Sequence, residues 1–486
     1  MAKSIKKNYV YNLLYQVLIL VVPLVTTPYV SRTLGAEAIG EYSYAYSINY
    51  YFTLIAILGT GTYAEREISF YQDDRGTRSR RFWDLFTLRC ITSVFCTIFY
   101  FVFIAFFFRD NLTALIVSLN IAAVAFDIVW LFQGMEEFGQ ISLRNTIVKI
   151  ISVVCVFIFI KKPEDVALYA LIMSLSPIIG SLSLFPFVSA YIDKPVLRNI
   201  HPFRDFSNII RLFIPTIAIS IYTVLDSTML GLFTSTKVEN GYYEQALKLS
   251  KTTLTIVTSL GAVMIPRISY FFQKGETEEI KTYMYKSYRF VFMIGLPICF
   301  GLIAIADNLV PWFYGDGFEK VSSLLKISSL LVIAIGLSNV TGMQYLVPTM
   351  RQDKLTASVI IGAVTNFFCN LILIPRFYSV GAIIASVIAE FTVTCVQFCY
   401  VRKNLSIRKI FSLSVHYLIA SIFMLLLVIA EGTFLEATPL NTIIMIASGV
   451  IAYFLVLLIE RDEFVFYAIS RGRDYVLRLI KGDRKG

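Results

Sequence analysis

The chain has 486 residues, 57% of them hydrophobic and 16% charged, with a mean hydropathy of +0.70 and a formal net charge of +10. A water-soluble core cannot hide that much apolar surface, so the solvent is largely lipid and a soluble globular domain is excluded. The basic residues lie in short loops between apolar runs, which points to membrane topology and away from nucleic acid.

A membrane span needs about 20 apolar residues. Such runs predict spans over 9–30, 42–64, 84–108, 113–133, 145–160, 166–190, 212–233, 243–266, 290–311, 323–347, 355–375, 381–401, 413–430 and 441–459. They are too long and too continuous to be barrel strands of about ten alternating residues, so the expected fold class is all-α, a polytopic membrane protein with about fourteen transmembrane helices. The first run carries Pro23 and Pro28 and lacks a small-residue cleavage site, and so reads as a retained helix. The fifth is short, with Ile141 to Leu143 and Thr146 to Ile151 extending it through a headgroup layer around Arg144 and Lys149. All seven cysteines (Cys90, Cys96, Cys155, Cys299, Cys369, Cys395 and Cys399) fall within apolar runs without metal-ligand spacing and read as small packing residues. Beyond the last span, 460–486 mixes Phe464, Phe466, Tyr467, Tyr475, Leu477 and Ile480 with Arg471, Arg473, Arg478 and Lys481, the pattern of an interfacial amphipathic helix.

Lys and Arg cluster in alternate loops. Arg66, Arg75, Arg78, Arg80 and Arg81 form one group, Lys194, Arg198, Arg204 and Arg211 the next, then Arg267 to Arg289, then Arg402 to Lys409. The opposite loops hold few, among them Arg32, Arg109, Lys237 and Arg376. This bias places both termini in the cytoplasm, which requires an even number of spans.

An internal repeat recurs near an offset of about 200 residues. Leu34, Gly35, Gly40, Tyr42 and Ala45, then Gly59 and Arg66-Ile68-Ser69-Phe70, are matched by Leu230, Gly231, Gly241, Tyr243 and Ala246, then Gly261 and Arg267-Ile268-Ser269-Tyr270. An even number of spans separates the copies, so the repeats run parallel. The expected domains are an N-terminal six-helix lobe (1–211), a C-terminal six-helix lobe (212–412), two appended helices (413–459) and the tail (460–486). Pairs of lobes that rock about a central cavity are the architecture of transporters, and Pro23, Pro28 and Pro215 mark first helices that bend or are statically kinked.

No phosphate-binding loop and no H-E-x-x-H occur, and the loops on the charge-poor side are too short for a catalytic constellation, which argues against an enzyme. Ionisable and amide side chains do occur within the spans, where they are costly and default to function. They are Asp127, with Asn120 seven residues earlier; Asp226; Glu390; Arg89; Lys248 and Lys251, three apart on one helix face; and Asn366 with Asn370. The alternatives are snorkelling to an interface for Arg89, paired structural charges between helices for Asp127, Asp226 and Glu390, and an ion pair with Glu244 for Lys248, whereas Lys251 is deeper and harder to explain that way. The tyrosines Tyr42, Tyr44, Tyr46, Tyr50 and Tyr51 read as interface anchors and packing, or as sugar platforms where they face a cavity.

Several strings carry a family likeness. Ser31-Arg32-Thr33-Leu34-Gly35 with Gly40-Glu41-Tyr42, the run Asp127 to Glu136, Ile214-Pro215-Thr216, Tyr222 to Asp226, Gly241 to Ala246, and Trp312-Phe313-Tyr314-Gly315 together resemble the polysaccharide transporter (Wzx-type) flippases. The resemblance implies the multidrug/oligosaccharidyl-lipid/polysaccharide fold. It further implies movement of undecaprenyl-diphosphate-linked oligosaccharide repeat units from the inner to the outer leaflet of a bacterial plasma membrane, for capsule, O-antigen or another surface polymer. Expected partners are the lipid-linked oligosaccharide, membrane lipids, and a polymerase and other assembly proteins, with no nucleic acid. On this reading Arg32, Arg89, Lys248, Lys251, Asn366 and Asn370 hold the diphosphate or sugar, and Asp127, Asp226 and Glu390 couple transport to a proton or sodium gradient, with no bound metal or cofactor. An ion-coupled multidrug exporter of the same superfamily and a membrane polysaccharide polymerase are the alternatives.

Overall fold

The computed structural model describes residues 5–109, 111–462, 464 and 466, and side chains from residue 17 onward except those of 212, 214–216, 218, 219, 221 and 222. The predicted amphipathic tail lies almost wholly outside the described residues. Among these residues every regular element is helical, and eleven helices are long and apolar enough to cross a membrane.

Two of the eleven are double. Ile5–Ile57 is interrupted at Gly35, whose φ of 75° and ψ of 172° are open to a residue without Cβ. A continuous helix of 53 residues would be about 80 Å long at about 1.5 Å per residue, far beyond a hydrocarbon layer of about 30 Å, so the break separates two crossings. Gln352–Val401 is broken in the same way at Tyr378, with φ 53°. A Cβ on Gly381 would fall 2.4 Å from the Leu373 carbonyl oxygen, an approach that residues eight apart reach only where the chain doubles back. Eleven helices with two such breaks give thirteen crossing lengths, and a shorter apolar helix occupies Thr223–Phe233 within Phe206–Phe233.

Spans predicted as single helices differ in detail. The fourth is three pieces, Leu112–Val117, Leu119–Phe126 and Val129–Gly134, so Asn120 and Asp127 do not share a continuous helical face as their spacing suggested. The fifth is a full 22 residues, Phe138–Phe159, which moves Lys149 from the headgroup layer to mid-helix. The repeat has a structural counterpart. In each half a long helix is followed by a short break and a second helix, Thr60–Phe70 after Gly59 and Gly261–Lys274 after Leu260.

The helices are apolar on the outside. In Arg75–Phe107, Ile91, Val94, Phe95, Ile98, Phe99 and Val102 are exposed, while Arg89, Ser93 and Tyr100 are buried. Lipid rewards an apolar exterior, and the interior can take polar groups if they are hydrogen-bonded. Ser93 Oγ accordingly donates to the Ile121 carbonyl at 2.6 Å, and the Tyr100 hydroxyl donates to that of Ala114 at 2.8 Å. Of the cysteines, Cys96 and Cys299 are buried packing residues as expected, whereas Cys395 and Cys399 are exposed.

The chain forms two compact units. One comprises Met1–Lys248, Tyr314–Phe318 and Ala363–Ala385; the other comprises Leu249–Phe313, Glu319–Gly362 and Ser386–Gly486. Within the first, the repeat glycines meet. A Cβ on Gly40 would lie 1.7 Å from the Lys237 carbonyl oxygen, and one on Gly241 would lie 1.9 Å from that of Ala36. Backbone rests on backbone there, which only glycine permits. On the charge-rich side of this unit the loop arginines brace the chain: Arg75 pairs with Asp193 at 2.8 Å, Arg81 with Asp205, and Arg204 with Asp84 at 3.2 Å. In the second unit, the Tyr453 hydroxyl donates to the Met293 carbonyl at 2.7 Å, and Tyr417 and Arg289 both donate to Asp462.

Candidate functional site

Three groups of ionisable side chains lie at membrane depth in the first unit. Arg89 is only 2% exposed. Its Nε donates to Thr60 Oγ1 at 2.6 Å, and its Nη1 donates to the Asp127 carbonyl at 2.6 Å and to Asp127 Oδ2 at 3.1 Å. The guanidinium also lies 6.0 Å from the Trp130 ring centroid. Asp127 sits where the fourth span leaves helical geometry, and its Oδ1 accepts from Val129 N at 3.1 Å, so it starts the next short helix as well. The run after it is interior packing: Trp130, Leu131 and Phe132 are buried, and a Cβ on Gly134 would fall 2.7 Å from Ile68. Two sequence candidates of opposite charge thus meet as one brace.

Asp226 has a different environment. It is 6% exposed and accepts from Asn366 Nδ2 at 2.9 Å, from Asn370 Nδ2 and from the Tyr243 hydroxyl. Asn370 Nδ2 also donates to Asn366 Oδ1 at 3.0 Å, as their i, i+4 spacing allows. The Asn370 Oδ1 atom is buried and accepts no hydrogen bond among the described residues. A carboxylate and an orphaned amide oxygen in one buried cluster are oxygen donors suited to a small hard cation or a proton. Two positions expected to bind substrate, Asn366 and Asn370, are here partners of one expected to bind the coupling ion.

The third group is a polar face. Tyr42, Tyr46 and Tyr50 follow one another on the first long helix with ring centroids 6.0 and 6.2 Å apart, and Tyr169 stands edge-on to Tyr42 at 5.1 Å. Glu244 accepts from Ser43 Oγ at 3.4 Å and lies within electrostatic reach of Tyr42, Tyr46 and Tyr169. Lys248 feels both Glu244 and Lys149. Tyr42, Tyr50, Tyr169, Glu244, Lys149 and Lys248 are partly accessible, Tyr46 is 38% exposed, and Ser43 is buried. Accessible charges on membrane-spanning helices face water or a polar ligand, because facing lipid would cost several kcal/mol each.

The remaining candidates lie elsewhere. Arg32 is exposed, with its Cγ 2.9 Å from where a Gly315 Cβ would sit. Lys251, exposed, and Glu390, half-buried, belong to the second unit. Sequence reasoning passed over Lys149, Tyr169 and Tyr243 as site residues. The signal for Lys149 was available: a cation at mid-helix of Phe138–Phe159 is too deep to snorkel, but the predicted span started too late to show it. Tyr243 and Tyr169 acquire their roles through contacts with residues 17 and 127 positions away, which no local pattern announces.

A family model described as "Polysaccharide biosynthesis protein" matches residues 5–272. The chain is 24% identical over 406 residues to the "Putative O-antigen transporter" of Escherichia coli (strain K12), covering 82% of this chain and 97% of that one. Among solved structures it is similar to "Lipid II flippase MurJ, inward closed conformation" with a TM-score of 0.72 at 14% identity, over 94% of this chain and 100% of the other. It is also similar to an inward-facing multidrug resistance MATE family transporter of the MOP superfamily, with a TM-score of 0.61 at 16% identity, over 81% and 98%. At these identities the solved structures establish a shared fold.

Proposed function

We propose, since the chain belongs to the polysaccharide biosynthesis protein family, that it is a flippase. Its cargo is an undecaprenyl-diphosphate-linked oligosaccharide repeat unit, moved from the inner to the outer leaflet of a bacterial plasma membrane for surface polysaccharide assembly. The observation that carries this reading is the accessible face of Lys149, Lys248, Glu244 and the tyrosines at membrane depth. A diphosphate headgroup entering the membrane needs cations to offset its lost hydration, and the attached sugars need hydrogen-bonding and stacking groups. Transport runs by alternating access of two six-helix lobes, 1–211 and 212–412, with the helices of 413–459 appended, fourteen spans in all and both termini cytoplasmic. A polymerase and other assembly proteins take up the product.

Asp226 is the ion-coupling acid. Its neighbours Asn366 and Asn370 hold the carboxylate in place, and the Asn370 amide oxygen adds a second donor for a proton or sodium ion. Tyr243, which donates to Asp226, is followed in the chain by Glu244 on the polar face. Loading the ion at Asp226 therefore bears on the helix that presents Glu244 and Lys248 to the cargo.

The test is reconstitution. Purified protein in liposomes should expose a labelled polyprenyl-diphosphate oligosaccharide to the opposite leaflet with its mass unchanged, at a rate that follows an imposed proton or sodium gradient. A lengthened glycan would instead identify a polymerase. Export of cationic dyes with no lipid movement would identify a drug exporter. Reporters fused after Arg81, Arg204 and Lys409 should read cytoplasm, and those after Glu239 and Gly315 the exterior; any other pattern breaks the fourteen-span topology.

A further inference from the structure

Among the described residues, tyrosines differ in what their hydroxyls do. Tyr51 donates to Thr228 Oγ1 at 3.1 Å, Tyr100 to the Ala114 carbonyl at 2.8 Å, Tyr288 bonds Thr341 Oγ1 at 2.8 Å, and Tyr453 donates to the Met293 carbonyl at 2.7 Å. These are packing residues whose polar tips are satisfied by protein. Tyr42, Tyr46, Tyr50 and Tyr169 make no hydrogen bond among the described residues, although Tyr42, Tyr46 and Tyr169 lie within electrostatic reach of Glu244 and Tyr50 follows Tyr46 on the same helix. Their rings are in register for a second use. Tyr42, Tyr46 and Tyr50 recur every four residues and so form a stripe along one helix face, at 6.0 and 6.2 Å spacing, with Tyr169 at 5.1 Å closing one end.

We infer that this stripe and Glu244 form a saccharide subsite that holds the sugars of the cargo. A pyranose presents an apolar C–H face, which stacks on a phenol ring, and a rim of hydroxyls, which need acceptors. Glu244 supplies them: a carboxylate has about four lone-pair sites, and Ser43 Oγ uses one. The four phenol hydroxyls add donors and acceptors around the same rim. Lys248 lies within the charge environment of both Glu244 and Lys149, so sugar and diphosphate are read by adjacent groups of one unit. The subsite rests on the flippase reading and adds to it the groups that recognise the glycan.

The experiment compares two probes on the full-length protein in nanodiscs: undecaprenyl diphosphate carrying the oligosaccharide extracted from the producing cells, and undecaprenyl diphosphate without sugar. Tyr46→Ala removes the most exposed ring and should weaken binding of the glycosylated probe about tenfold, the effect of losing one well-used aromatic contact, while leaving the sugar-free probe unchanged. Tyr46→Phe keeps the ring and should lose no more than about threefold. Glu244→Gln should also act on the glycosylated probe alone. Equal losses on both probes, no loss on either, or a wild type that binds the two equally would overturn the subsite and leave the flippase reading standing. A wild type that binds neither probe would overturn both.

Discussion

Arg89–Asp127 and Asp226 are both polar clusters of the first unit, Arg89 and Asp226 buried and the Asp127 side chain 40% exposed, and they meet the cost of a charge in the membrane differently. Asp127 is neutralised by a guanidinium that also holds Thr60 and lies over Trp130. Asp226 is held by dipoles, from two amides and a phenol. An ion pair cancels its own charge and has little left to offer a third party. Neutral donors stabilise a carboxylate without placing a cation against it, and Asp226 accepts from three of them. The first arrangement joins helices, and the second is the one we propose for the coupling ion.

The sharpest way to break this contrast is at Arg89. Arg89→Met should cost about 2–4 kcal/mol, because it breaks three hydrogen bonds made by a buried guanidinium, while the Asp127 carboxylate it leaves is 40% exposed and can be solvated. Thermal unfolding in detergent would show it, and Arg89→Met with Asp127→Asn should recover part of the loss. If the single variant is as stable as the parent, the brace is not one. Gly241→Ala comes next: its Cβ would meet the Ala36 carbonyl at 1.9 Å, so the helix bearing Tyr243 must shift, at about 1–3 kcal/mol. That shift should disturb the ion dependence of transport and leave the Arg89 cluster intact.

Asp226→Asn should leave unfolding within about 1 kcal/mol of the parent, since an amide can still bond Asn366, Asn370 and Tyr243. Flipping in liposomes should then lose its dependence on the gradient. An unchanged response to both proton and sodium gradients would remove Asp226 from the coupling site. The smallest effect expected is that of Tyr243→Phe, which takes away one donor worth about 0.5–1.5 kcal/mol. It should shift the ion concentration for half-maximal transport by up to about tenfold without abolishing coupling.

The family motifs taught something that their text alone did not. Asp127 to Glu136 is one of the strings that carry the family likeness, yet Trp130, Leu131 and Phe132 are packed inside and Gly134 admits the Ile68 side chain. The repeat, by contrast, was legible because its glycines answer a backbone constraint: Gly40 and Gly241, set 201 residues apart, occupy equivalent places in one reciprocal contact. Lys149 shows how an error propagates. Starting the fifth span seven residues too late turned a mid-membrane cation into an interfacial one and removed it from the candidates.

Hydropathy and length were enough to establish from sequence the class of membrane protein that the described residues show, every regular element among them helical, because the dehydration cost of the backbone acts on any run of about 20 residues irrespective of what it touches. The residues too expensive to place in lipid without reason, Arg89, Asp127, Asp226, Asn366 and Asn370, were visible for the same cause. Their division of labour was not. Arg89 meets Asp127 across 38 residues and Asp226 meets Asn366 across 140, and hydrogen bonds form by distance in space, so only the folded chain decided which of these polar groups meet.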